Sequence, residues 1–173
     1  MQRVAIIGPG GAGKTTIALE LGRRLGLPVV HLDRIFWQPG WTEPDRSDWE
    51  RAHRAALAGN AWVADGNYGS TMAERLRSAD TIVLVDPPPL ACVWRLARRQ
   101  VRFRGRVRDD LPPGCVEHFR PGATLAFWWY VLRYRRTRIP GVLARIEAAG
   151  AGKRVEILRS RGDVRRFLAE AGP

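Results

Sequence analysis

Cysteine and long apolar runs are both scarce in this sequence, and each scarcity excludes a class of protein. The 173 residues include only two cysteines, Cys92 and Cys115, without CxxC spacing or a nearby pair of histidines. A disulfide framework and a zinc site are therefore not expected, and both residues are interpreted as ordinary thiols. No apolar run approaches the roughly 18 residues that span a bilayer, and no signal-peptide pattern follows Met1. We expect a cytoplasmic protein without membrane contact.

Lysine is also rare, although the chain is strongly basic. Of 29 cationic residues only Lys14 and Lys153 are lysine, and the net charge is +12. Residues 95–138 carry 12 cations against 3 acidic residues, whereas residues 1–94 carry 10 of each. A general preference for arginine explains the type of cation but not this clustering. The cluster indicates a phosphate-bearing ligand or a polyanionic partner such as nucleic acid.

The length and the 45% hydrophobic content are typical of one folded domain, and we treat residues 1–173 as that domain. The sequence predicts five strands, at residues 4–7, 29–32, 61–64, 81–85 and 153–158, and the short apolar run at residues 4–7 suits a buried parallel strand. Helical patterns occupy residues 17–25, 47–58, 74–79, 90–103, 123–137 and 160–169, the last with Ser160 and Asp163 at capping-box spacing. This alternation predicts an α/β fold, with a parallel sheet wrapped by helices and ligands at the carboxyl ends of its strands.

Residues 8–15 match the phosphate-loop pattern G-x-x-x-x-G-K-[ST] in full, between a predicted strand and a predicted helix. Glycines allow successive N–H groups to point at phosphate oxygens, and the helix N-terminus adds partial positive charge. Lys14 is expected to reach the β- and γ-phosphates, and the Thr15 hydroxyl to ligate Mg²⁺. ATP and Mg²⁺ are the predicted cofactors. The residues expected to bind them are Gly8, Pro9, Gly10, Gly11, Ala12, Gly13, Lys14, Thr15 and Thr16.

Three predicted strands end in aspartate, at Asp33, Asp65 and Asp86. Asp33 would accept the proton of an acceptor hydroxyl or hold Mg²⁺ through water, unless it is only a surface turn residue. Asp86 has the form of a Walker B carboxylate and is the alternative metal group. The third strand is followed by a segment that would contact the acceptor or form a plain turn. Its residues are Asp65, Gly66, Asn67 and Tyr68.

The arginine cluster has two spacings. Arg95, Arg99 and Arg102 share one helix face, and an extended chain would place Arg102, Arg104, Arg106 and Arg108 on one side. A mobile lid with these residues would neutralise a transferring phosphoryl group and exclude water, although a solvated basic face is the simpler interpretation. The predicted catalytic residues are Lys14, Asp33, Arg99, Arg102, Arg104 and Arg106. Trp37, Trp41, Trp49 and Trp62 would line an acceptor site or pack in the core.

Four segments together resemble small adenylate-kinase-related P-loop proteins often labelled DNA topology modulation proteins. They are the phosphate loop, residues 31–41 (HLDRIFWQPGW), residues 65–68 (DGNY) and the arginine cluster with residues 114–117. The resemblance implies a nucleotide-kinase-like three-layer fold with a five-stranded parallel sheet of order 2-3-1-4-5. It also implies an acceptor-binding region near residues 33–60 and an arginine lid near residues 99–122. True adenylate kinases have the sequence Asp-Gly-Phe-Pro-Arg where this chain has Asp-Gly-Asn-Tyr from residue 65 onward. This difference argues against AMP as the acceptor here.

The sequence therefore predicts a P-loop kinase that uses ATP and Mg²⁺ to phosphorylate a small acceptor such as a nucleoside or nucleotide. Trp37 and the segment of residues 65–68 would contact that acceptor. A nucleic-acid-binding protein that uses ATP as a switch is the alternative, with the arginine cluster on DNA phosphates. A metabolite sensor that binds ATP without turnover is a third hypothesis.

Overall fold

The computed structural model describes residues 1–108 and 110–172. Its sheet consists of β1 (Arg3–Ile7), β2 (Val29–His31), β3 (Trp62–Asp65), β4 (Thr81–Val85) and β5 (Arg154–Leu158). All neighbouring strands are parallel, in the order β2-β3-β1-β4-β5. The predicted nucleotide-kinase-like α/β fold and its strand order are confirmed.

The helices are α1 (Lys14–Leu25), α2 (Leu32–Phe36), α3 (Arg46–Ala56), α4 (Gly69–Ser78), α5 (Pro89–Arg102), α6 (Pro121–Thr137), α7 (Ile139–Ala148) and α8 (Arg161–Glu170). The predicted capping box is present at the start of α8, with Ser160 and Asp163 each accepting a backbone N–H of the other. Within residues 1–108 and 110–172, no helix combines the length and apolar character needed to cross a membrane.

Two apolar layers sandwich the sheet because successive strand residues face opposite sides. Val4 and Ile6 of β1 pack in a cluster with α1, α5 and α8, whereas Ala5 and Ile7 pack in a second cluster with α4 and α7. Burial of both faces explains the apolar runs of the central strands β1 and β4, whereas the edge strand β5 is partly exposed and carries Arg154 and Glu156.

Two helices were not predicted from the sequence. Asp33 does not end β2 but lies in the first turn of the short helix α2, which buries Leu32. α7 begins at Ile139, where Pro140 occupies a first-turn position that needs no backbone N–H donor. Interpreting that proline only as a stop for α6 caused the error.

The described residues between α5 and α6, 103–108 and 110–120, pack onto the segment that follows α2. Val107 forms an antiparallel bridge with Val116. The Trp41 indole N–H donates to the Val116 carbonyl oxygen at 2.9 Å, and the Gly40 N–H to that of Gly114 at 3.2 Å. We call residues 103–120 the lid segment and residues 37–42 the acceptor segment, and these two segments are in contact.

Candidate active site at the phosphate loop

The phosphate loop curls between the end of β1 and the start of α1 in a shape that only glycine permits. Gly11 and Gly13 have φ of 73° and 97°, in the left-handed region. A Cβ atom on Gly11 would lie 2.4 Å from the Cys92 carbonyl oxygen, and one on Gly8 would lie 2.2 Å from that of Val85. The close approach of α5 and β4 therefore requires these glycines.

Lys14 is half-buried inside this loop. Its Nζ donates to the carbonyl oxygens of Gly8 and Pro9 at 2.9 and 3.0 Å. Burial lowers the pKa of Lys14 below its usual range, and the negative charges of Asp33 and Asp65 oppose that shift. Among the described residues, no carboxylate lies within ion-pair distance of this ammonium. A half-buried cation whose hydrogen-bond partners are neutral carbonyl oxygens fits the anionic oxygens of a triphosphate.

Asp65 lies beside the phosphate loop, where it contacts Thr15. The Thr15 hydroxyl donates to Oδ2 of Asp65 at 2.7 Å, and Nδ1 of His31 lies 2.7 Å from Oδ1. The hydrogen bond that the His31 ring donates to Asp65 raises the pKa of His31, although burial opposes this shift. A hydroxyl and a carboxylate at the loop are the hard oxygen donors that Mg²⁺ prefers, so this pair fits the expected cation. The sequence analysis had placed Asp65 only on the acceptor.

The turn after β3 joins the phosphate loop to Asp33. The side chain of Asn67 accepts the Gly8 N–H at 3.0 Å and donates to the Gly8 carbonyl oxygen at 2.7 Å. The Tyr68 hydroxyl donates to Oδ1 of Asp33 at 2.7 Å. Burial and the Asp33 charge raise the pKa of Tyr68, so its phenol remains a donor to that carboxylate. The structure thus brings together the predicted residues of the loop, of α2 and of residues 65–68.

Arg75 of α4 supports this turn and was not anticipated by the sequence analysis. It is 0% exposed, and its Nη2 donates to the carbonyl oxygens of Gly66 and Asn67 at 3.0 and 2.8 Å. Burial lowers its pKa to about 10. Its Nη1 lies 3.3 Å from Nε2 of His53, which is itself 1% exposed. No sequence signal distinguishes this arginine from the others, because its role depends on carbonyls that the fold brings near it.

The His53 contact predicts a pH-dependent stability. Burial, and then the Arg75 charge, lowers the pKa of His53 to about 4, below the value of about 6.5 expected in the unfolded chain. The unfolded state therefore takes up the proton first as the pH falls. We expect the free energy of unfolding to decrease by on the order of 3 kcal/mol between pH 6.5 and pH 4 through this residue.

Urea denaturation of wild type and of His53→Gln at several pH values checks this. The substitution removes the titrating group, so the variant should have a flatter pH dependence in that window, whatever its stability at pH 7. The His31 contribution is complete below its unfolded pKa and does not change the comparison. Parallel pH profiles for the two proteins would contradict the assignment.

Asp86 follows β4 and is paired with a cation. Its Oδ2 lies 3.0 Å from Nε of Arg135, a residue of α6, and the carboxyl is buried. Arg135 therefore forms an ion pair with the carboxylate that the sequence analysis offered as an alternative metal ligand. The structure thus brings Asp65, and not Asp86, into contact with Thr15.

The arginines of the cluster have different environments. Nη1 of Arg95 donates to the phosphate-loop carbonyl of Ala12 at 3.1 Å, and Arg99 is close enough to Lys14 to lower its pKa. Arg102 is exposed and packs on the Phe103 ring. The prediction that an extended chain places Arg102, Arg104, Arg106 and Arg108 on one side is wrong. Arg108 is 6% exposed and packs against acidic residues, whereas Arg104 and Arg106 are exposed.

The tryptophans also separate into two groups. Trp62 lies in the core on β3, and Trp49 is buried against Phe36 and Tyr68. Trp37 is only partly buried in the acceptor segment, where its ring contacts the Trp41 ring. Of the four tryptophans of the predicted aromatic wall, only Trp37 and Trp41 keep part of their surface exposed.

Known proteins share the fold with this chain. A family model described as isopentenyl transferase matches residues 1–64, less than half of the chain. The fold resembles shikimate kinase from Acinetobacter baumannii, solved with shikimate, with TM-score 0.56 and 18% identity over 98% of this chain and 90% of that chain. A putative kinase from Chloroflexus aurantiacus gives TM-score 0.57 and 15% identity over 98% and 97%. No curated protein matches the sequence significantly. At these identities the likeness shows a P-loop kinase-like fold.

Proposed function

We propose that this protein is a P-loop kinase that transfers the γ-phosphoryl group of ATP to a hydroxyl group of a small acceptor. One observation carries the proposal: Lys14, held by the phosphate-loop carbonyls, and the Thr15–Asp65 pair lie at the same edge of the sheet as Asp33, which accepts a hydrogen bond from Tyr68. A nucleotide-binding switch needs the first two features. A carboxylate held in position beside them is what a transfer to an acceptor hydroxyl needs in addition.

In this proposal the loop residues bind and orient the triphosphate. Lys14 contacts the β- and γ-phosphates, and Arg99 adds positive charge where the phosphoryl group moves. Thr15 and Asp65 would hold Mg²⁺, Asp65 through water, and this ion would neutralise phosphate charge. Asp65 takes the part for which the sequence analysis had considered Asp33 or Asp86.

Asp33 is the proposed general base. The acceptor oxygen forms a bond to the γ-phosphorus while the bond from that phosphorus to the β,γ-bridging oxygen breaks, and ADP leaves with the electron pair. The hydroxyl proton passes to Asp33. Tyr68 donates to the other side of this carboxylate and fixes its direction. The acceptor and lid segments would exclude water, which otherwise hydrolyses ATP.

The regional assignments belong to the same proposal. Residues 33–60 would bind the acceptor, and residues 99–122 would close as a lid over the nucleotide. A mass-spectrometric screen of nucleosides, nucleotides and small alcohols with ATP and Mg²⁺ tests the proposal directly. Replacing ATP with dimethylallyl diphosphate as the group donor tests prenyl transfer, the activity that the description of the partially matching family suggests.

A nucleic-acid-binding switch is a second candidate because two lid arginines face solvent. Arg104 and Arg106 are exposed and form no ion pair with the residues that the structure describes. If they contact duplex phosphates, each should contribute about −0.9 to the slope of log affinity against log salt. If they belong to a lid, their loss should lower phosphoryl transfer and raise ATP hydrolysis.

We expect the lid result for Arg104→Ala: lower transfer, more hydrolysis and no weakened DNA binding. Duplex titrations at about 50 and 200 mM salt, alongside ATP turnover, make the comparison. Arg161→Ala on α8 is the matched control, since it removes an exposed arginine from a distant helix. The switch would be favoured by three results together. Wild type would bind DNA tightly at the higher salt, only Arg104→Ala would weaken that binding, and ATP turnover would be unchanged in that variant.

A further inference from the structure

The helix pair α5 and α6 exposes most of the uncovered apolar side chains of this protein. Among the residues that the structure describes, seven large apolar side chains are more than half exposed. One is Leu19 on α1, and the other six lie on α5, on α6 and near the end of the lid segment between them. We call these six the α5–α6 face: Leu90, Trp94, Val101, Phe119, Leu125 and Trp129.

On α5 the apolar side chains of this face form one stripe. Leu90, Trp94 and Val101 are spaced by four and seven residues, so they share one side of the helix. The buried Cys92 and Leu96 mark the opposite side, which packs in the apolar cluster beneath. The stripe extends for about 16 Å along the helix, and Val101 at its end is 80% exposed.

The face continues from α5 to α6 through the contacts of Gln100. Its Nε2 donates to the Thr124 hydroxyl at 3.3 Å and lies 3.5 Å from the His118 carbonyl oxygen. The residue that follows each of these three in the chain is exposed and apolar, namely Val101, Phe119 and Leu125. Trp129 lies one turn further along α6. The exposed apolar side chains of three segments thus meet where the two helices pack together.

The chain around this face carries charge of one sign only. Residues 87–108, which contain α5, include seven arginines and no aspartate or glutamate. Residues 118–146, which contain α6, include six arginines and again neither acid. A partner of this face therefore meets cations without any acidic residue of the same segments to oppose them.

Arginines also lie within the apolar surface. Arg98 occupies the turn between Trp94 and Val101 on the same helix. On α6, Arg133 follows Trp129 by four residues, and its guanidinium carbon lies over that ring, 5.5 Å from the centroid. Both arginines are exposed, and neither forms an ion pair within residues 1–108 and 110–172. Cationic and apolar groups therefore alternate along the face.

We propose that the α5–α6 face binds the surface of an anionic lipid bilayer. Helices that bind in this way combine Trp and aliphatic side chains with arginine or lysine and have few acids. Tryptophan favours the headgroup region, and each arginine is attracted by the negative lipid charge. The sequence analysis expected no membrane contact because no segment spans a bilayer, but a surface contact needs no spanning segment. This inference is independent of the proposed kinase function.

Two other occupants fit the face less well. A second copy docked through the same face would bring arginines against arginines. Single-stranded nucleic acid would stack its bases on the two tryptophans, but the aliphatic side chains have no ring on which a base stacks. Those aliphatic side chains are Leu90, Val101 and Leu125. Apolar burial together with the positive charge therefore favours a lipid surface.

Cosedimentation with vesicles tests the proposal. We expect wild type to bind phosphatidylcholine vesicles that contain about 30% phosphatidylserine at least about tenfold more tightly than pure phosphatidylcholine vesicles, and less tightly at high salt. Trp94→Gln/Trp129→Gln should bind the anionic vesicles at least about tenfold more weakly, because both side chains enter the headgroup region. Arg98→Gln/Arg133→Gln should lose about tenfold as well.

Matched controls change the same kinds of residue on other surfaces. Leu19→Gln/Leu143→Gln removes two exposed apolar side chains from α1 and α7. Arg161→Gln/Arg165→Gln removes two exposed cations from α8. Both controls should bind the anionic vesicles as wild type does. The four side chains changed on the α5–α6 face are exposed, so those variants should fold, and the single substitutions repeat the measurement if a double variant does not.

Equal binding of wild type to the two kinds of vesicle would overturn the proposal, as would equal losses in the face variants and their controls. Titration with an oligothymidylate and sedimentation velocity identify the other occupants. Oligothymidylate binding that Trp94→Gln/Trp129→Gln abolishes, without vesicle binding, would assign the face to nucleic acid. A dimer that the same variant dissociates, again without vesicle binding, would assign it to a second copy. Either result would overturn the lipid assignment.

Discussion

The Lys14→Ala variant is expected to lose about 10³-fold in kcat/KM for ATP. A lysine ammonium near a phosphate oxygen interacts by about 4 kcal/mol at the effective dielectric of a partly buried site, and each 1.36 kcal/mol is tenfold in rate. The loop amides remain, so some nucleotide binding should persist while productive binding is lost. Calorimetry with ATP and a steady-state transfer assay measure the two effects.

Lys153→Ala is the matched control for this experiment. Lys153 is the other lysine of the chain, and its Nζ also donates to two backbone carbonyls, those of Arg77 and Ala79, at 2.8 and 2.6 Å. Both substitutions therefore leave two carbonyl oxygens without a lysine donor, but only one removes a charge from the loop. Unchanged affinity and turnover in Lys14→Ala would contradict the phosphate-loop function. Equal losses in the two variants would indicate a general structural defect.

The Asp33→Asn variant is expected to lose on the order of 10²-fold or more in kcat, with little change in ATP affinity. Asparagine keeps the size and can still accept the Tyr68 hydrogen bond, but it does not take up the acceptor proton. Single-turnover transfer and calorimetry of ATP separate these properties. Retained ATP binding without turnover in wild type would instead favour the metabolite sensor.

Two further variants locate the catalytic carboxylate. Asp86→Asn weakens the ion pair with Arg135 and should change stability more than kcat, because that carboxylate is already occupied. Asp65→Asn should alter the Mg²⁺ dependence of turnover, because Asp65 contacts Thr15. Full activity in Asp33→Asn would contradict the proposed base and move that role to Asp65 or Asp86.

The site is organised by contacts remote from the chemistry. Tyr68 has φ of 37° and so adopts a backbone conformation that residues with side chains rarely take. Arg75 binds the carbonyls just before Tyr68, and the Tyr68 hydroxyl reaches Asp33. The direction of the proposed base thus depends on a buried arginine of α4.

The sequence by itself determined the features that depend on neighbouring residues. The phosphate loop is contiguous, so its glycines, Lys14 and Thr15 predict both the local shape and the ligand. All five strands were predicted, and the signal was clearest for β1 and β4, because burial of both sheet faces selects apolar residues along a central strand. The boundary of β2 was wrong and the helices α2 and α7 were not predicted, since a short helix and a first-turn proline carry weak local signals.

Only the tertiary structure decided which carboxylate meets the phosphate loop. Asp65 is level with Ile6 across the sheet, whereas Asp86 lies beyond Leu84, the residue level with Ile7. This register brings Asp65 to Thr15, 50 positions earlier in the chain, and leaves Asp86 to Arg135 of α6. The burial of Arg108 was decided in the same way. Spacing along a chain places residues at one edge of a sheet, but which charges touch depends on strand register and on helices packed from distant segments.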